Sequence, residues 1–171
     1  MLRTSTFVLR TFRGLPMLYA QTIALARGLL AEGRAADVAR MLEPLVERAE
    51  DPLAPASEPG RVVLHALLAR VRLLRYGDPR AALALLAPFD DSALRAQLAP
   101  TLRAEVALWL GWAHAWQDAR TYDDARALNL LDEAGRLFRD ELNPGGRCWT
   151  LLGQARAYLT IDEYPLLERA L

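Results

Sequence analysis

The feature that most constrains this chain is that it resembles itself. The segment LARGLLAEGRAADVARMLEPL, beginning at Leu25, returns in outline as ARVRLLRYGDPRAALALLAPF, beginning at Ala69. Gly33 then matches Gly77 and Pro44 matches Pro88, both 44 positions on. A later pair, LWLGWAHAWQDARTYDDA from Leu108 and TLLGQARAYLTIDEYPLL from Thr150, sets Leu110 and Gly111 against Leu152 and Gly153, 42 positions on. Self-similarity at this period marks stacked supersecondary units, because a unit of that size cannot bury its own apolar face and needs a neighbour. The chain divides into about four such units, near 15–50, 60–98, 101–142 and 146–171, within one repeat domain spanning 1–171.

Each unit reads as two helices around a short polar break. Apolar residues recur at intervals of three and four through Met17 to Leu30, Val62 to Leu74, Leu102 to Trp116 and Trp149 to Leu159, the period of an amphipathic helix. Second helices follow from about Ala35, Pro79, Thr121 and Asp162. Asp78 before Pro79 suits an N-cap and first helical position, Thr121 with Asp124 a capping box, and Thr160 with Glu163, or Asp162 alone, a further start. Pro44 and Pro88 kink or end the helices they fall in. The stretch DPLAPASEPG, 51–60, is a loop; Ser92 to Leu98 has room for a short extra helix; Gly145 and Gly146 after Pro144 mark a turn between units. No β-type alternation occurs, so the fold class is all-α. The chain stops at Leu171, inside the expected second helix of the fourth unit and without a stop signal, as a piece of a longer protein would.

Composition narrows function. The 171 residues carry 21 basic and 21 acidic side chains, so no net field draws the protein to nucleic acid or an anionic membrane. Every basic residue is arginine. A Walker-type phosphate loop and a Schiff-base enzyme both need a lysine, and both are excluded. Cys148 is the only cysteine, which rules out an intrachain disulfide and fits a cytoplasmic protein, with the thiol expected as a small buried apolar group. The apolar run from Val106 to Trp116 is too short to span a bilayer and contains His114, and no targeting segment opens the chain.

Trp149, Leu152, Gly153, Ala157 and Tyr158 follow the spacing of the tetratricopeptide (TPR) signature on a first helix, with Arg156 where that signature has tyrosine. Leu110 and Gly111 repeat part of it, with Ala107 for the tryptophan and His114 for the tyrosine. The chain resembles the TPR superfamily. Its period exceeds the standard repeat of about 34 residues, and in this it is similar to the longer helical repeats of MalT-like bacterial transcription activators and related signalling ATPases. An Ala, Leu and Arg bias typical of GC-rich bacterial genomes agrees. The resemblance implies a right-handed α-solenoid of about four antiparallel helix pairs acting as a protein-binding or regulatory scaffold. It also implies a concave groove lined one and five residues after each glycine, by Trp112 and Trp116 and by Gln154 and Tyr158. Carried back along the repeat, it adds His65 and Arg72, and Gln21 in the first unit. Such a mixture of aromatic, amide and guanidinium groups suits the anchoring of a peptide.

Catalytic and metal chemistry find little support. His65, His114 and Cys148 lie on separate helices with no ligand spacing, so neither metal nor cofactor is expected. Ser5, Ser57 and Ser92 lack a nucleophile-elbow pattern. The adjacent acids Asp90/Asp91, Asp123/Asp124, Asp132/Glu133, Asp140/Glu141 and Asp162/Glu163 read as helix caps or solvated faces. Trp109, Trp112 and Trp116 share adjoining helical faces, a spacing that fits both a packed core and a binding groove. Arg70, Arg72 and Arg75 fit either a solvated face or a contact for an acidic partner.

The leading expectation is therefore a non-enzymatic interaction domain that binds a protein or peptide, with a homodimer through an exposed solenoid end as a further possibility and no membrane association. The competing readings are a helical-repeat nucleic-acid binder, which needs a continuous basic stripe, and an all-helical enzyme, which needs an internal pocket with titratable groups of displaced pKa.

Overall fold

The computed structural model describes residues 17–48, 59–117 and 123–168. These residues are all-helical. Eight α-helices run in order: α1 Met17–Ala31, α2 Ala35–Arg48, α3 Pro59–Tyr76, α4 Pro79–Leu86, α5 Ser92–Ala96, α6 Pro100–Ala115, α7 Asp124–Asp140 and α8 Pro144–Glu168, with a 3-10 turn over Ala87–Phe89. No described helix is long and apolar enough to cross a membrane.

Local chemistry explains most of the boundaries. Gly33 and Gly77 adopt φ of 76° and 61° after α1 and α3, a left-handed conformation open to glycine because it has no Cβ. Gly33 sits in a Schellman turn, in which Arg34 N–H donates to the Leu29 carbonyl at 2.8 Å and Gly33 N–H to the Leu30 carbonyl at 3.1 Å, whereas Gly77 closes the simpler αL turn by donating its own N–H to the Leu73 carbonyl at 3.0 Å. The repeated glycine is thus a repeated helix stop. Pro59, Pro79, Pro100 and Pro144 open α3, α4, α6 and α8, where a missing amide hydrogen costs nothing. Asp78 caps α4 by accepting from Ala81 N–H at 2.9 Å, and Asp91 caps the short α5 by accepting from Ala93 N–H at 2.7 Å. Pro44 lies inside α2, whereas Pro88 falls in the 3-10 turn that ends α4.

Several expectations need correction. The cap of α7 is Asp123, which accepts from Arg126 N–H at 2.9 Å; Thr121 lies outside the described residues, as does most of the 51–60 loop. Gly145 and Gly146 are not an inter-unit turn but the first turn of α8, and the turn itself is carried by Leu142 and Asn143. Gly146 is needed there because the Phe138 ring packs where a Cβ would stand. No second helix starts at Asp162: α8 continues to Glu168, since no glycine follows Gly153 to let the backbone turn. Cys148 is exposed, not buried.

The helices pack in a regular order. Helices α1, α3, α6 and α8 each pack on the next of their own set, while α2, α4 and α7 each lie against two consecutive members of it. One apolar core runs through these layers, from Ile23 and Leu42 by way of Leu64, Leu73, Leu86 and Leu110 to Leu131 and Phe138. Burying each such side chain contributes about 1.5–3 kcal/mol before chain entropy is subtracted. Helix α6 is the centre: from Val106 to Ala115 every residue is buried, because α3, α4, α7 and α8 surround it. A helix apolar all round requires such enclosure.

Candidate functional site

Side chains from α1, α3, α6 and α8 converge where those four helices meet. Arg27 of α1 donates from Nη2 to Glu105 Oε1 of α6 at 3.0 Å. Trp109 of α6 and Trp149 of α8 stack at a tilt, with ring centroids 5.7 Å apart. Arg70 of α3 lies with its guanidinium carbon 5.5 Å from the centroid of each of these rings. Together these groups line a cavity of about 340 Å³, whose rim includes Asn143, Gly145 and Gly146 at the N-terminus of α8.

The aromatic half is held by a glycine. Trp112 donates from Nε1 to the Trp149 carbonyl at 3.0 Å and packs edge-on to the Trp149 ring. A Cβ at Gly153 would stand 2.7 Å from that indole nitrogen, so a side chain there would expel Trp112. Trp116 meets Trp112 in a T-shaped contact with centroids 5.5 Å apart, completing a row of four indoles. Aromatic pairs at these separations contribute about 0.5–1.5 kcal/mol beyond their buried area.

The electrostatics are lopsided. Glu105 spends its carboxylate on Arg27, whereas Arg70 Nε is buried without a hydrogen-bond partner and its guanidinium faces indoles. Burial lowers the Arg70 pKa against the opposing pull of Glu105, and burial raises the Glu105 carboxyl against the pull of Arg27 and Arg70. Two guanidiniums and the positive end of the α8 dipole thus face one carboxylate. Cation–π contact over two rings holds the Arg70 cation, but it leaves the in-plane N–H donors to seek an acceptor.

A second, wider groove of about 740 Å³ lies between α7 and α8, lined by Arg103, Arg136, Arg139 and Arg147 with Asp132 and Glu133. Glu133 is the hub at its edge, taking hydrogen bonds from Arg95 and Arg103, while Arg95 also donates to the Phe89 carbonyl at 2.7 Å. Burial pushes the Glu133 carboxyl up, but the two guanidiniums outweigh it and hold it below the usual carboxylate range.

Of the seven residues expected in a groove, the structure brings together Trp112 and Trp116 and disperses the rest. Trp112 is only 7% exposed and packs between α6 and α8. His65 Nδ1 lies 2.8 Å from the Leu85 carbonyl of α4, Arg72 donates to Glu43 of α2 at 2.7 Å, and Gln154 donates to Asp132 of α7 at 2.6 Å. These three positions face neighbouring second helices. Gln21 and Tyr158 are exposed on α1 and α8, at opposite ends of the chain. The residues that do converge, Arg27, Arg70, Glu105, Trp109 and Trp149, were visible only in part: Arg27 and Arg70 stand 43 positions apart, close to the repeat period. Comparison with family models, with curated proteins and with solved structures finds no match to this chain.

Proposed function

We propose that this chain is a protein-interaction module, a right-handed α-solenoid of TPR-like helix pairs whose inner cleft captures a carboxylate of a bound peptide. Support for the stack comes from the packing order, in which α2, α4 and α7 each bridge consecutive first helices. Support for the ligand comes chiefly from one observation: the Arg70 guanidinium, held 5.5 Å from the centroids of both the Trp109 and Trp149 rings, has a buried Nε with no acceptor. A peptide carboxylate entering the cavity supplies that acceptor, the rings flank its apolar stem, and the α8 N-terminus favours its charge. The regulatory role of MalT-like repeat domains extends this reading to a docking domain within a signalling protein.

Competing readings gain less. Carboxylates interrupt the arginines of the α7–α8 groove, and the 21 basic side chains are matched by 21 acidic ones, so among the described residues that groove offers no continuous basic stripe for nucleic acid. Glu105 is a displaced carboxyl in a cavity, but its neighbours there are arginines, which stay protonated and cannot exchange protons with it.

The test is a titration of intrinsic tryptophan fluorescence with short glutamate-containing peptides and their glutamine counterparts. The glutamate peptides should bind and the glutamine peptides should not. Arg70→Met should weaken binding by about 10- to 100-fold, the worth of a charge-assisted hydrogen bond, while leaving the far-ultraviolet circular dichroism unchanged. Equal binding by both peptides, or an Arg70→Met variant that binds normally, would remove the proposal.

A further inference from the structure

The groove between α7 and α8 holds more positive charge than the fold uses. Arg136 and Arg139 of α7 and Arg147 of α8 line it, all exposed, and none of the three takes part in a hydrogen bond or ion pair among the described residues. The carboxylates that line the same groove are already committed. Glu133 pairs with Arg95 and Arg103, and Asp132 accepts from Gln154 Nε2 at 2.6 Å. Three guanidiniums are therefore left with no counter-charge in the fold.

Helix geometry gathers them at one end. Gly135 of α7 faces Thr150 of α8, where a Cβ would stand 3.1 Å from the threonine methyl, so the two helices lie close along the groove floor. Arg136 and Arg139 follow Gly135 by one and four residues, and Arg147 precedes Thr150 by three, which places all of them toward the turn that joins the helices. Asp132 and Gln154 mark the other end. Like charges on successive helical turns repel each other, so an anion seated among the arginines relieves that repulsion as well as taking up their donors.

We propose that this end of the groove binds the phosphate of a phosphorylated serine or threonine in a partner protein. A phosphate monoester carries about 1.5 to 2 negative charges near neutral pH and three acceptor oxygens, a match for several guanidiniums at once. A carboxylate, with a single charge, needs only one of them. A nucleic-acid backbone repeats its charge along its length and would meet Asp132 and Glu133 within a turn of Arg136. A free phosphate ion would leave most of the 740 Å³ groove empty, whereas a peptide fills it, with exposed Leu151 and Asn129 offering apolar and amide contacts along the walls. The groove shares no lining residue with the cavity around Arg70, so failure here and failure of carboxylate capture are separate results.

Fluorescence anisotropy with a labelled peptide pool, its phosphoserine fixed and its flanking positions randomised, tests the proposal. The phosphoserine pool should bind, and the same pool carrying unmodified serine should not. Arg136→Gln and Arg147→Gln should each weaken binding by about 10-fold or more, the worth of a charge-assisted hydrogen bond, while Arg40→Gln on α2 leaves it unchanged. Circular dichroism should stay constant in all three variants, since these side chains are exposed. Inorganic phosphate should compete only at far higher concentration. Equal binding of the serine pool, no binding of either pool, or binding untouched by Arg136→Gln and Arg147→Gln would overturn the proposal, as would loss of fold in either variant. Competition by inorganic phosphate at the peptide's own concentration would overturn it in favour of a small-anion site. A single-stranded oligonucleotide that binds more tightly than the phosphoserine pool would overturn it in favour of a nucleic-acid surface.

Discussion

At the scale of the residue, two positions carry strain or charge that a simple change should release. Leu142 turns the chain between α7 and α8 with φ of 54° and 87% of its surface exposed, while Asn143 N–H donates to the Phe138 carbonyl at 2.9 Å. This is the same turn that Gly33 makes, with a leucine in the left-handed position. Leu142→Gly should therefore raise stability by about 1 kcal/mol, read as a higher urea midpoint; a lower midpoint would contradict it. His114 is buried beneath Asp90, whose carboxylate lies 3.6 Å from Nε2 and is already engaged by Arg126. Burial lowers the His114 pKa, and Arg126 adds to that effect while Asp90 opposes it. The unfolded chain thus binds the proton more readily than the fold. His114 favours the fold fully above its ordinary value of about 6.5, and that contribution is lost as pH falls through its lower folded value. Unfolding midpoints from about pH 7 to about pH 5 should drop in the wild type and drop less in His114→Gln. Sequence alone made Gly33 and Gly77 legible because glycine announces a positive φ. It hid Leu142, since nothing in a leucine announces one.

At the scale of the element, caps and prolines were readable and convergence was not. Asp78 before Pro79 predicts the start of α4 because an acceptor and a ring-fixed φ together favour one conformation. Thr160 and Asp162 looked like similar starts, yet α8 passes through them, because a start signal acts only where the previous helix has stopped. Three elements are tied by one carboxylate: Glu133 of α7 holds Arg95 of α5 and Arg103 of α6, with side chains of Arg95 and Glu133 almost enclosed. Removing the charge leaves Arg95 buried with only carbonyl partners, so Glu133→Gln should cost about 3 kcal/mol in urea denaturation. A cost below about 1 kcal/mol would show the cluster to be solvated and weak. The pairing spans 38 residues and joins three helices, and no local pattern could have named it.

At the scale of the whole molecule, the repeat made the all-helical fold legible, because a period of 42 to 44 residues leaves few other ways to bury apolar stripes. The cleft was not legible, since it forms only where four helices cross, and the crossing is set by how Gly146 and Gly153 let Phe138 and Trp112 close in on α8. Register counting from Gly111 and Gly153 named Trp112, which packs between α6 and α8 and is not part of the cleft's lining, and passed over Arg70, the cation around which the proposed function turns. The Arg70 Nε–H resonance in a nitrogen–proton correlation spectrum reports on that cation directly. Added glutamate peptide should shift it markedly as Nε gains an acceptor, while the matched glutamine peptide leaves it in place. An unmoved Arg70 signal, with shifts confined to the arginines of the α7–α8 groove, would contradict the account.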